Sequence, residues 1–235
     1  MPVFHGTLFA VDRSEMMRYA GLPPKGAAIP DALIADALRE AAALAEPRGA
    51  WELYPYDAEQ GAVLGDPPLV LEGTAIRRHL ARSVSAAVLA VTAGPAIEEA
   101  SAAHFRAGRY TEGLLLDAAA TAIAEHLADQ LDGYIQSEAR RTGRQTAWRY
   151  SPGYGDWPVT QQRALCALIG ASRIGVSVTD HAMLVPRKSV TAVIGLSRCS
   201  EAPRPAHCAL CHLTSCPFRA KAERPSSEGG NHASL

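Results

Sequence analysis

The sequence predicts an α+β fold, and three observations carry that prediction. Helical periodicity is concentrated in a few segments, above all residues 110–141, whereas strand signals are short and scattered. Ser85 to Thr92 (SAAVLAVT) is a compact apolar run ended by Gly94-Pro95, the texture of a buried strand. Ser189 to Ser197 (SVTAVIGLS) is rich in β-branched residues and is the strongest strand signal in the chain.

Taken in order, Val3 to Ala10 alternates loosely as a strand, and Arg13 to Tyr19 reads as a short helix stopped by Gly21-Leu22-Pro23-Pro24. Pro30-Asp31 opens a second helix, with Leu33, Ile34, Ala37, Leu38 and Ala41 at helical spacing. Ala50 to Leu71 reads as strands and turns divided by Gly61, Gly65 and Pro67-Pro68. Gly73-Thr74 starts a helix through about Leu80, and another runs from Ala96 to Ala107. The longest helix spans Tyr110 to Arg141, its buried stripe marked by Leu116, Ala119, Ile123, Leu127, Leu131 and Tyr134-Ile135. A helix from about Thr160 to Ile169 and short strands at Ile174 to Val178 and Met183 to Val185 complete the reading.

The 235 residues suffice for one large domain with a small appendage, and 48% hydrophobic against 20% charged residues can fill a core. A net charge of −1 with both signs interspersed argues against a nucleic-acid protein held by phosphate contacts. No apolar run reaches the roughly 18 residues of a spanning helix, and the N-terminus lacks the pattern of a secretory signal. The expectation is a cytoplasmic protein with neither membrane nor nucleic acid as partner.

The segment Arg149-Tyr150-Ser151-Pro152-Gly153-Tyr154 has the ingredients of a small-molecule clamp. Arginine offers a planar fork suited to a carboxylate, Pro-Gly favours a turn that lets backbone approach a ligand, and tyrosine adds an aromatic surface with a polar tip. An ordinary turn with a surface arginine and packed aromatics has the same composition. Its surroundings add to it. This string resembles the Arg-x-x-x-Gly-Tyr signature of the activation region of cobalamin-dependent methionine synthase. LADQLDGYIQSEAR (Leu127 to Arg140) resembles that family's preceding long helix, and DHAMLVPRKSVTAVIGLS (Asp180 to Ser197) resembles its following turn and small-residue strand. Pro186 to Ser189 (PRKS) replaces the more usual Pro-Gly-Ala-Ser-like turn, as in short members of the family. The N-terminal third resembles the family little, and an acidic residue of the family's ligand site has no clear counterpart there.

The resemblance implies a central, mostly antiparallel twisted sheet with long helices packed on it. It implies an S-adenosylmethionine-binding domain over 1–198, with the likeness concentrated in 97–197. Arg149 would anchor the donor's carboxylate, Ser151 and Gly153 would supply backbone contacts, Tyr154 would shape the pocket, and Asp129 takes the place of a ligand-contacting carboxylate. Acidic residues on long helices are more often simply solvated. The implied role is reductive reactivation of a cobalamin or corrinoid methyltransferase, with cobalamin on a partner or at the interface and an electron donor beside it. The length leaves no room for the modules of a complete methionine synthase, so a stand-alone activation protein is expected.

The cysteines follow their own pattern. Cys166 stands alone as a small hydrophobe, whereas Cys199, Cys208, Cys211 and Cys216 crowd into 199–219, ahead of a polar tail (220–235) expected to be disordered. A C-x2-C pair with two further thiols in reach reads as a metal segment, and the spacing fits structural Zn or a [4Fe-4S] cluster. A redox centre beside a reactivation module favours iron–sulfur. Two other functions fit the same residues: a non-catalytic, metal-dependent binding module, and an iron–sulfur electron carrier to a corrinoid protein. His104, His126 and His181 have no ligand spacing and read as surface or packed residues.

Overall fold

A computed structural model describes residues 3–6, 11–22 and 29–198. In chain order the elements are β1 (Val3–Phe4), α1 (Arg13–Tyr19), α2 (Asp31–Leu44), β2 (Arg48–Asp57), β3 (Ala62–Val63), β4 (Leu69–Val70), α3 (Thr74–Leu80) and β5 (Ser85–Thr92). They continue with α4 (Ala96–Arg106), α5 (Tyr110–Arg141), β6 (Gln145–Thr146), α6 (Gln162–Leu168), β7 (Ser177–Val178), β8 (Leu184–Val185) and β9 (Ser189–Ser197). The main sheet runs β4-β3-β2-β5-β9-β6 with β1 added to β2, and every pairing in it is antiparallel. The α+β expectation with long helices on an antiparallel sheet therefore holds.

β5 is buried along its whole length because both faces of the sheet are covered. Ala87, Leu89 and Val91 join Ala192, Ile194 and Leu196 of β9 in one core under α1, α2, α4 and α5. Ala86, Val88 and Ala90 face a second core built from α3, α6 and the segment holding Tyr150 and Trp157. Such two-sided burial is why the strand is uniformly apolar rather than alternating.

α5 has 32 residues, about 48 Å of helix, and no proline interrupts it. Its alanines let it lie close over β5 and β9. It ends in a Schellman turn: Gly143 at φ +67° donates to the Arg140 carbonyl, and the Arg144 N–H reaches the Ala139 carbonyl at 2.9 Å.

Three expectations need correction. Tyr134 is not on the buried stripe of α5; it is 46% exposed and packs its ring on Phe4 and Trp51, while Ile135 is buried. The Thr160–Ile169 helix begins as a 3-10 turn at Val159–Gln161 and becomes α6 only from Gln162. Residues Ala171–Ile174 are a 3-10 turn, so the strand read from Ile174 shrinks to β7. The stretch after Gly143, to which the sequence assigns no element, adds an edge to the sheet: β6 pairs with β9, and Tyr150 bridges Val193. No described helix is long and apolar enough to cross a membrane.

Candidate functional site

The site begins with a change of register at the sheet edge. Thr146 pairs with Leu196, yet Tyr150 pairs with Val193, so the edge segment carries one residue more than β9 between those points. This is a β-bulge, and an odd residue reverses which side chains face which way. Trp148 and Tyr150 pack on the α3–α6 side, while Arg149 is turned toward α5.

There the Arg149 guanidinium, 5% exposed, meets two carboxylates one helical turn apart. Nη1 donates to Asp129 Oδ1 at 2.6 Å and Nη2 donates to Glu125 Oε2 at 2.7 Å. An i, i+4 pair of acids on one helix face matches the fork of an arginine. Burial raises the Glu125 carboxyl above its ordinary range, and Arg149 opposes that shift.

α1 closes the other wall. Asp12 caps it, accepting from the Ser14 N–H at 2.7 Å and Oγ at 2.8 Å, and the Ser14 hydroxyl contributes most to holding its carboxyl low. Glu15 accepts from Arg18 Nε at 3.1 Å, and Arg18 lies 4.1 Å over the Tyr19 ring. Burial, then the nearby Glu125 charge, pushes the Tyr19 phenol up to about 12. Between α1 and α5 lies a cleft of about 460 Å³ with Asp12, Glu15, Glu125, His126 and Asp129 on its walls and Val11, Ala122 and Ile123 as its apolar part.

Arg149 bonds two of the carboxylates on the cleft walls but is not itself among the residues lining it, nor are Ser151, Gly153 and Tyr154, which form the turn just beyond it. The Tyr154 N–H donates to the Ser151 carbonyl at 3.2 Å and the Gly153 N–H, at φ +93°, to the Trp157 carbonyl at 2.9 Å. The Tyr154 ring is 49% exposed and stands edge-on to Tyr150.

That turn is fastened from behind. Asp156 accepts from the Thr74 N–H (2.7 Å), the Thr74 hydroxyl (2.5 Å) and the Ala75 N–H (2.9 Å), satisfying donors at the start of α3. These bonds, the Thr74 hydroxyl first, hold the Asp156 carboxyl at about 2. A carboxyl lower in the folded than in the unfolded chain stabilises the fold above its unfolded pKa, and that contribution is lost as pH falls through the folded value. Asp156→Ala should therefore lower Tm at pH 7, with the gap to the parent protein closing between about pH 4 and pH 2. Equal melting points at pH 7 would contradict this role.

Arg149 and Asp129, singled out in the sequence, are joined in the structure, whereas Glu125, Asp12 and Glu15 are not singled out there and His126 reads only as a surface or packed residue. Glu125 was within reach, lying four residues before Asp129 on the same helix. Nothing local says that α1 comes to rest against that turn of α5. Cys166 is buried in the second core, where desolvation pushes its thiol up to about 12, as befits an inert residue. Cys199, Cys208, Cys211 and Cys216 lie outside the described residues.

Residues 77–201 match the family described as vitamin B12 dependent methionine synthase, activation domain. Among solved structures, the fold is similar to that in the crystal structure of the MetH reactivation domain bound to AdoHcy. The TM-score is 0.56 at 17% identity, covering 87% of this chain and 81% of that one. No curated protein sequence matches.

Proposed function

Because the chain belongs to the vitamin B12 dependent methionine synthase activation domain family, we propose that it binds S-adenosylmethionine in the α1–α5 cleft and supports reductive methylation of a cobalamin carried by a partner protein. The observation that carries this reading is the buried Arg149 guanidinium, held by Glu125 and Asp129 at a cleft of about 460 Å³. That volume falls within the roughly 300–1,000 Å³ of small-ligand sites. The AdoHcy bound by the MetH reactivation domain, the demethylated form of the same ligand, adds support.

The residues fit the amino-acid end of such a ligand. Its carboxylate would take over the Arg149 fork, and its ammonium would take over the carboxylates of Glu125 and Asp129. Ion pairs are then exchanged rather than lost, which limits the cost of desolvating either charge. The main chain of Ser151 and Gly153 and the exposed Tyr154 ring would flank the bound molecule from the neighbouring turn. When bound, the sulfonium supplies the methyl group, while this chain binds and orients it.

Calorimetry with S-adenosylmethionine tests the reading. Binding is expected for the protein alone and should tighten when a corrinoid-carrying protein is present. Equal affinity with and without several such partners would count against the reactivation role, and no binding under either condition would remove the donor site itself.

A further inference from the structure

The charges in the cleft do not balance. Asp12, Glu15, Glu125 and Asp129 supply four carboxylates, against the guanidiniums of Arg18, paired with Glu15, and Arg149, paired with Glu125 and Asp129. With all six ionised the cleft carries −2. Its apolar part, Val11, Ala122 and Ile123, keeps this field less screened than on an open surface.

His126 stands among these groups. It lines the cleft from α5, next to Glu125 and one turn before Asp129, and when protonated its charge bears on Asp12 across at the start of α1. Glu15 lies on the α1 wall with Asp12. Gln130 Nε2 lies 2.7 Å from His126 Nε2, a contact that an unprotonated ring nitrogen can accept and a protonated one cannot. Histidine is the side chain whose charge ordinarily changes between about pH 5 and 8.

We propose that the cleft prefers the sulfonium donor to its thioether product by charge, and that the protonation state of His126 sets the size of that preference. S-adenosylmethionine carries a net +1, an ammonium and a sulfonium against one carboxylate, whereas S-adenosylhomocysteine is a neutral zwitterion. A neutral His126 leaves the cleft at −2 and a protonated one leaves it at −1. Loss of the methyl group removes the charge the cleft attracts, so the product is released in favour of fresh donor. This inference rests on the donor-site reading above.

The experiment is calorimetric titration of both ligands at pH 7.5 and pH 5.5, on the parent protein, His126→Gln and Asp12→Asn. Glutamine at the exposed position 126 removes only the titrating ring. Asparagine at position 12 keeps an N-cap oxygen while deleting one charge. The parent should prefer S-adenosylmethionine by on the order of tenfold at pH 7.5, and that preference should fall at pH 5.5. His126→Gln should show a fall roughly threefold smaller, because the titration of the ligands and of Glu125 is common to both proteins. Asp12→Asn should reduce the preference at both pH values. Equal affinity of the parent for the two ligands at pH 7.5, or a preference unchanged in Asp12→Asn, overturns charge selection and leaves the donor site standing. The same pH response in His126→Gln and the parent overturns the part assigned to His126. Absence of binding by either ligand removes the inference together with the site.

Discussion

Arg149→Ala should abolish measurable binding of S-adenosylmethionine while leaving a folded protein. In the proposed site the guanidinium is the buried cation that would face a ligand carboxylate, and alanine leaves Glu125 and Asp129 facing each other uncompensated. The cost to stability is held down because the two carboxylate side chains are 37% and 65% exposed, so water relieves part of the repulsion. A loss of about 2 kcal/mol in urea unfolding at pH 7 is expected. Without Arg149, Glu125 loses what opposed its upward shift, so its folded pKa lies further above the unfolded one. A carboxyl raised in this way binds its proton more tightly in the folded state, and the stability deficit should shrink as pH falls. Arg149→Lys keeps the charge but not the fork and should bind weakly rather than normally. Unchanged affinity in a folded Arg149→Ala protein would falsify the assignment.

Trp157→Ala should cost more in stability than any other substitution near the site. The indole is 1% exposed in the second core, and its N–H donates to Gln161 Oε1 at 2.5 Å. Gln161 also accepts from the Glu72 N–H at 3.0 Å and donates to the Val70 carbonyl at 2.8 Å, so one tryptophan fixes the amide that holds the chain leaving β4. Removing a buried ring of this size costs about 3–5 kcal/mol, which for a chain of this length lowers Tm by roughly 10 °C. Trp157→Phe keeps most of the packing and loses the N–H, so a loss of about 1–2 kcal/mol is expected. Thermal and urea melts decide between them. A loss below about 1 kcal/mol for the alanine variant would mean that the core refills the space, against the packing described here.

How much of this could be read without coordinates depends on the range of the interactions involved. The bounds of α1, α3, β5, α5 and β9 follow from signals a few residues apart: apolar spacing, glycine and proline punctuation, and β-branched runs. The 3-10 starts near Val159 and Ala171 were misread because a single tight turn has almost the same local composition as a helix end or a short strand. Arg149 and Asp129 could be singled out because a signature string and a helix repeat are contiguous patterns. Their meeting at 2.6 Å could not, since it depends on where a bulge falls against β9. Strict alternation from Thr146 would have turned Arg149 away from α5, and one inserted residue turns it back. The α1 wall is of the same kind: Asp12 and Glu15 reach the cleft only because Met16 and Met17 bury themselves in the core beneath α5. The sequence by itself determined the long elements, the fold class and the family. The tertiary structure alone decided which carboxylates gather around Arg149 and where the cleft opens, because those contacts join residues about 20 to more than 100 positions apart through packing that no local pattern encodes.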